Sequence, residues 1–244
     1  MKKLIFAALL LIFSAYSSAR EYKPEEYLSA FENYSFADED AVKALNLAGL
    51  SDARIFDPLD QYVQKNMGNM DDSTVIKAVI YALEGLSYSG NGKYHATIEK
   101  AAFEGGHKKV KKAASEALAK LDQFAKWNPL INPNHNNYKA GYPGVKDRIK
   151  NMLSSGDDIL MSTAARRVYD ERWYDDVLLD AAAKSIDGHY QQVDDDASLD
   201  AMVWLMRATA ASKKMKYKSL IEKVMETTDN KQLRKYAQKY LGYF

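Results

Sequence analysis

Residues 108–118 read Lys108-Lys109-Val110-Lys111-Lys112-Ala113-Ala114-Ser115-Glu116-Ala117-Leu118. Val110, Ala113, Ala114, Ala117, Leu118 and, one turn on, Leu121 recur at three- and four-residue spacing, which lines one face of a helix and leaves the lysines and Glu116 outside it. The stretch returns as Lys231 to Leu241, and the match widens: residues 72–118 lie on residues 195–241 without a gap, at an offset of 123. Twelve of these 47 pairs are identical, among them Asp72/Asp195, Lys93/Lys216, Tyr94/Tyr217, Ile98/Ile221 and Leu118/Leu241. Unrelated chains of ordinary composition would match at about one pair in sixteen. Self-similarity of amphipathic helices in a chain with few Gly and Pro implies stacked helical units.

The same stripe appears as Val75, Ala78, Ala82, Leu83 and Leu86, and as Ser198, Ala201, Met202, Leu205 and Met206, where Ser198 replaces an aliphatic residue and Leu199 is read as compensating. Candidate partner helices precede the inner ones at 54–66, 93–104, 172–187 and 217–227. Upstream of the gapless region, an offset of 118 places Asp52, Arg54 and Asp57 on Asp170, Arg172 and Asp175, which implies five extra residues between Gly188 and Asp196. Six helix pairs follow, three in each half.

Val110-Lys111, Ala113, Ala114, Ala117 and Leu118, and again Leu233-Arg234, Ala237 and Leu241, resemble the inner helix of HEAT-type repeats, an aliphatic-basic pair followed by small residues and a terminal Ala-Leu. The resemblance implies an all-α right-handed solenoid of about six antiparallel helix pairs, with inner helices lining a concave face suited to extended partners. The expected organisation is residues 1–19 as a signal peptide, 20–122 and 144–244 as the two helical halves, and 123–143 as an inserted Asn/Pro/Tyr loop. That insert holds three of the five prolines, Pro129, Pro133 and Pro143, so Trp127 to Tyr138 reads as non-helical, yet its aromatic residues predict an ordered segment.

Lys2 and Lys3, an apolar run from Leu4 to Phe13, and small residues Ser17 and Ala19 make the leader a secretory signal cleaved before Arg20. The expected location is periplasmic, or secreted, with no stable membrane insertion after cleavage. Removing the leader's two lysines leaves 32 basic against 33 acidic residues, a balance that favours neither nucleic acid nor anionic membrane. With no cysteine, disulfides and thiolate chemistry are excluded.

The acid clusters Asp38–Asp40, Asp71-Asp72, Asp157-Asp158 and Asp194–Asp196 precede inner helices, where carboxylates cap free amides. Only Asp194–Asp196 has a carboxylate to spare for a calcium-like ion. His95, His107, His135 and His189 lack metal-ligand spacing, and His107 matches Asn230 at the start of a helix. No Walker loop, dinucleotide fingerprint or nucleophile elbow is present, so no cofactor or metal is expected. The repeated pairs Arg54/Asp57 and Arg172/Asp175 read as intrahelical ion pairs. Lys108, Lys111 and Arg234 belong to basic stripes on two inner helices, read as solvated or as binding a polyanion. Aromatic residues that differ between the copies are the better interface candidates: Trp127, Tyr138 and Tyr142 with Asn134 in the loop, and Tyr81 matched to Trp204.

The sequence thus points to an exported, non-enzymatic scaffold that binds a protein or peptide on its concave face. A hydrolase or lyase acting on an envelope polymer, and a binder of polyanionic polymer, are the alternatives.

Overall fold

The computed structural model describes residues 21–32 and 39–244. The signal-peptide reading and Asp38 lie outside the described residues. Among the described residues the secondary structure is entirely helical, and the chain divides into two compact units, one extending to Pro143 and the other Gly144–Phe244.

The first unit contains α1 (Pro24–Glu32), α2 (Glu39–Leu45), α3 (Ala53–Asn66), α4 (Ser73–Tyr88), α5 (His95–Glu104) and α6 (Lys108–Ile131). Within it α3 packs on α4 and α5 on α6, while α2, α4 and α6 pack in succession as an inner row. The second unit contains α7 (Val145–Leu153), α8 (Asp158–Asp170), α9 (Asp176–His189), α10 (Asp196–Ala211), α11 (Lys218–Thr227) and α12 (Lys231–Leu241). Here α7 packs on α8, α9 on α10 and α11 on α12, and the inner row is α8, α10 and α12.

The offset of 123 governs structure as well as sequence. Adding it to the bounds of α3, α4 and α5 gives the bounds of α9, α10 and α11, and it carries the 3-10 turn Gly92–Tyr94 onto Met215–Tyr217. The buried positions follow: Ile55, Phe56, Leu59 and Val63 correspond to Leu178, Leu179, Ala182 and Ile186, and Ala41, Val42 and Leu45 to Ala164, Ala165 and Val168. The offset of 118 is therefore wrong, and the connection before α10 carries no insertion. Asp52 corresponds to Asp175, each the N-cap of its outer helix. Residues 172–175 precede α9 rather than beginning it, with Arg172 in the left-handed region at φ 54.

The true equivalence explains the repeated Lys-Tyr pair. Tyr94 Oη donates to Asp57 Oδ1 at 2.8 Å with Lys93 Nζ at 2.7 Å, and Tyr217 Oη donates to Asp180 Oδ1 at 2.6 Å with Lys216 Nζ at 2.9 Å. Each aspartate ties one outer helix to the next. Burial first, and then the Asp180 carboxylate, push the Tyr217 phenol up to about 12. The Arg54/Asp57 and Arg172/Asp175 ion pairs do not form: Arg54 binds Asp52, and Asp175 binds Lys146.

The inner-helix acids do cap: Asp72, Asp157 and Asp195 accept the amides of Thr74, Leu160 and Ser198. His107 and Asn230 do the same at equivalent starts. Ser198 is not a weak core residue; it closes a capping box with Asp195, and Leu199 stays half-buried.

The segment 123–143 departs from the expected loop. Helix α6 continues to Ile131 with Pro129 in its last turn, and only residues 132–143 leave helical geometry, apart from the 3-10 turn Tyr138–Ala140. Proline there removes one hydrogen bond near a helix end. Burial of Phe124, Trp127 and Ile131 and the bonds of Asn128 offset that loss. The remaining loop is fastened to the turn before α3: Ser51 N donates to His135 O at 2.7 Å, Asn132 Nδ2 to Gly49 O at 2.9 Å, and Tyr142 Oη to Ala48 O at 3.2 Å.

Asp52 anchors this junction. It is 4% exposed, its Oδ1 accepts Arg54 Nε at 2.9 Å, and its Oδ2 accepts Arg54 Nη2 at 2.5 Å and the Tyr138 amide at 3.3 Å. Burial raises its pKa, but the guanidinium and amide donors together outweigh burial and hold the carboxyl below its usual value. A depressed carboxylate contributes stability that is complete above about pH 4 and is lost as pH falls through the folded value. Asp52→Asn keeps the helix cap but removes the charge, so it should cost about 1 kcal/mol at pH 7. The two proteins should converge in stability as pH falls below about 4 through the lowered folded-state value of Asp52, measured by urea unfolding across the pH range.

Candidate functional site

The sequence-selected aromatics separate by burial. Trp127 is 3% exposed and Tyr138 7%, so both are core residues and cannot anchor a partner as expected. Trp127 packs edge-on to Phe124, and Tyr138 lies under the Arg54 guanidinium at 4.6 Å. Asn134 is exposed, but its Nδ2 is spent on Ala140 O and Gly141 O, and Tyr142 is half-buried on Ala48. The loop is thus a fastening of the first unit, bonded to the turn before α3 and covered at Tyr138 by the Arg54 guanidinium.

The basic stripes are also partly structural. Lys111 Nζ donates to Phe103 O at 2.8 Å, and Arg234, its equivalent, donates to Thr228 O, so both satisfy carbonyls at the end of the preceding outer helix. Lys108 is exposed.

Tyr81 and Trp204 occupy equivalent, half-buried positions on α4 and α10, in very different surroundings. Around Tyr81 the charges are internally matched. Glu39 accepts from Lys43 at 2.5 Å and lies 3.4 Å from Lys77, whose ammonium sits 5.4 Å from the Tyr81 ring. Glu84 accepts from Tyr88 Oη at 2.7 Å and pairs with Lys120 at 3.7 Å. The Lys43 bond, with help from Tyr81, lowers Glu39 to about 2.

Around Trp204 guanidinium groups replace the lysines. Arg166 Cζ lies 4.7 Å from the Trp204 ring, and its Nη2 reaches both Asp200 oxygens, at 3.0 and 2.9 Å. Arg207 Cζ lies 4.2 Å from the Tyr169 ring and 4.7 Å from Trp204, and its Nη2 donates to Tyr169 Oη at 3.1 Å. Tyr169 and Trp204 meet edge to face at 6.1 Å. Helix α12 adds Tyr240, buried and raised to about 12 chiefly by burial, with Tyr243 edge-on at 5.6 Å. Among the described residues, Arg207 has no carboxylate within ion-pairing distance.

Three of these residues, Arg166, Tyr169 and Arg207, were not singled out from the sequence. The available signal was spacing: Arg166 and Tyr169 on α8, like Trp204 and Arg207 on α10, are three apart and share a helix face.

A second cluster forms where α8 and α10 begin. Burial first, then the charges of Asp195, Asp157 and Asp194, raise the Asp158 carboxyl above its usual value. Asp157 and Asp195 are committed to caps, and no group of three or more His, Cys, Asp or Glu placed to hold a metal ion occurs among the described residues. No helix among them is long and apolar enough to cross a membrane. No protein-family model matches the chain, and comparison with curated proteins finds no relative.

Proposed function

We propose that this protein is an exported, non-enzymatic helical-repeat scaffold, each unit a short HEAT-like right-handed stack of three helix pairs, that holds a peptide or protein on the inner row of its second unit. The observation that carries this reading is the arginine-aromatic cluster on α8 and α10, with Arg207 stacked on two rings and lacking an acid of its own among the described residues. Aromatic and arginine side chains on a rigid framework are the residue types that dominate protein recognition. The acids that a hydrolase would require are largely engaged as helix caps, which weakens the alternative of an envelope-polymer enzyme.

The test places a photo-crosslinking side chain at Tyr243, beside the cluster, and at Lys65, an exposed residue of the first unit's α3. Irradiation in an envelope extract of the source cells should give a discrete, protease-sensitive adduct from position 243 and none from position 65. Adducts that resist protease, or equal labelling at both positions, would reject a polypeptide partner on this face.

A further inference from the structure

The internal repeat permits a comparison that isolates Arg207. At the offset of 123, Arg166, Tyr169, Asp200, Trp204 and Arg207 correspond to Lys43, Asn46, Lys77, Tyr81 and Glu84. The position of Arg207 therefore carries opposite charges on two copies of one helical framework. The fold itself requires neither sign. In the first unit the charge is answered within the unit, Glu84 by Lys120 and Tyr88. In the second unit Arg166 is answered by Asp200, while Arg207 finds only the Tyr169 hydroxyl among the described residues.

We infer that Arg207 is the receptor for an aspartate or glutamate side chain of the peptide held on this face, an inference that rests on the scaffold reading above. A guanidinium offers five donors in a planar fork, and the Tyr169 hydroxyl uses one of them. Contact with the Tyr169 and Trp204 rings limits the orientations of the plane, so the remaining edge is pre-set for a two-toothed grip on a carboxylate. The rings would meanwhile cover the apolar stem of the incoming acid. A side chain fits better than a chain terminus. Capture of a terminal carboxylate relies on free backbone amides, whereas Arg207, Trp204 and Tyr169 all lie past the first turn of their helices, where amides are already bonded.

The experiment selects phage-displayed random dodecapeptides on the immobilised purified protein. Enriched peptides should share an Asp or Glu, and changing it to Asn or Gln should weaken binding at least tenfold. Arg207→Gln should lose as much, and in that variant the acid-to-amide change should cost less than twofold, because the pair is already broken. Arg207→Lys keeps the charge and should retain part of the affinity; thermal melting of each variant checks that the unit remains folded. Enriched peptides indifferent to both changes would overturn the Arg207 assignment while leaving peptide binding intact. Failure to enrich any peptide would overturn the scaffold reading and this inference with it. Dextran sulfate competing at the same charge concentration as the peptides, with the same Arg207 dependence, would replace the peptide by a polyanion.

Discussion

Gly90→Ala should destabilise the first unit by about 3–5 kcal/mol, enough to abolish its folding in many proteins of this size. Gly90 has φ 56, and a Cβ there would lie 2.3 Å from Ala125 N, 2.4 Å from Phe124 C and 2.6 Å from Phe124 O. The left-handed conformation alone costs about 1 kcal/mol for a side-chain-bearing residue. The larger cost is the collision, because the obstructing atoms are helix backbone and cannot move aside as a side chain would. The repeat supplies the control. Lys213, at the equivalent position, has the same φ of 56 but is exposed. Lys213→Gly relieves left-handed strain and frees the unfolded chain by similar amounts, so its net effect should stay within about 0.5 kcal/mol. Urea unfolding followed by circular dichroism, with hydrogen exchange to assign the change to a unit, measures both. Equal effects at the two positions would mean that contact with α6 is not what fixes residue 90.

Asn128→Ala should cost about 3 kcal/mol, although it removes only a small polar side chain. Asn128 is 1% exposed, and its Nδ2 lies 3.0 Å from Leu50 O, 3.1 Å from Ser51 Oγ, 2.9 Å from Tyr88 O and 2.9 Å from Ser89 O. One amide thus ties the turn before α3 to the turn after α4. Alanine removes the two N–H donors that these neighbours share, and an unsatisfied buried polar group costs about 1–3 kcal/mol. Asn128→Asp should be at least as damaging, since it sets a negative charge among carbonyl oxygens. Limited proteolysis should then cut within residues 132–143 in either variant while leaving the second unit whole. Protection of that loop in Asn128→Ala would show that Ser51, Asn132 and Tyr142 hold it without Asn128.

The sequence was most legible where a pattern is local. Helix periodicity, acids at helix starts and the His107/Asn230 correspondence are set by residues within one or two turns, and all three appear in the structure. The register of α3 on α9 is not legible from identities, because burial constrains size and polarity rather than identity. Over residues 52–71 only Asp52/Asp175, Asp57/Asp180 and Asp71/Asp194 match at 123, no more than the coincidences at 118 offer. The Asp57 and Asp180 matches acquire meaning only once Tyr94 and Tyr217 are seen to reach them from the next outer helix. Pro129 is a helix breaker on local grounds, but tertiary burial on either side of it prevails.

By itself the amino-acid order determined that paired amphipathic helices form, where most of them start, and that one set of helix pairs is written twice, because apolar spacing and end-capping act over a few residues. Only the tertiary structure decided that Trp127 and Tyr138 are core, that the loop belongs to the first unit, and that Trp204 gathers Arg166, Arg207 and Tyr169. Those outcomes depend on how helices separated by some thirty or more residues approach one another. Whether a charge finds its counter-ion is a matter of distance in space, and the same position in two copies of one framework can be satisfied in the first and left open in the second.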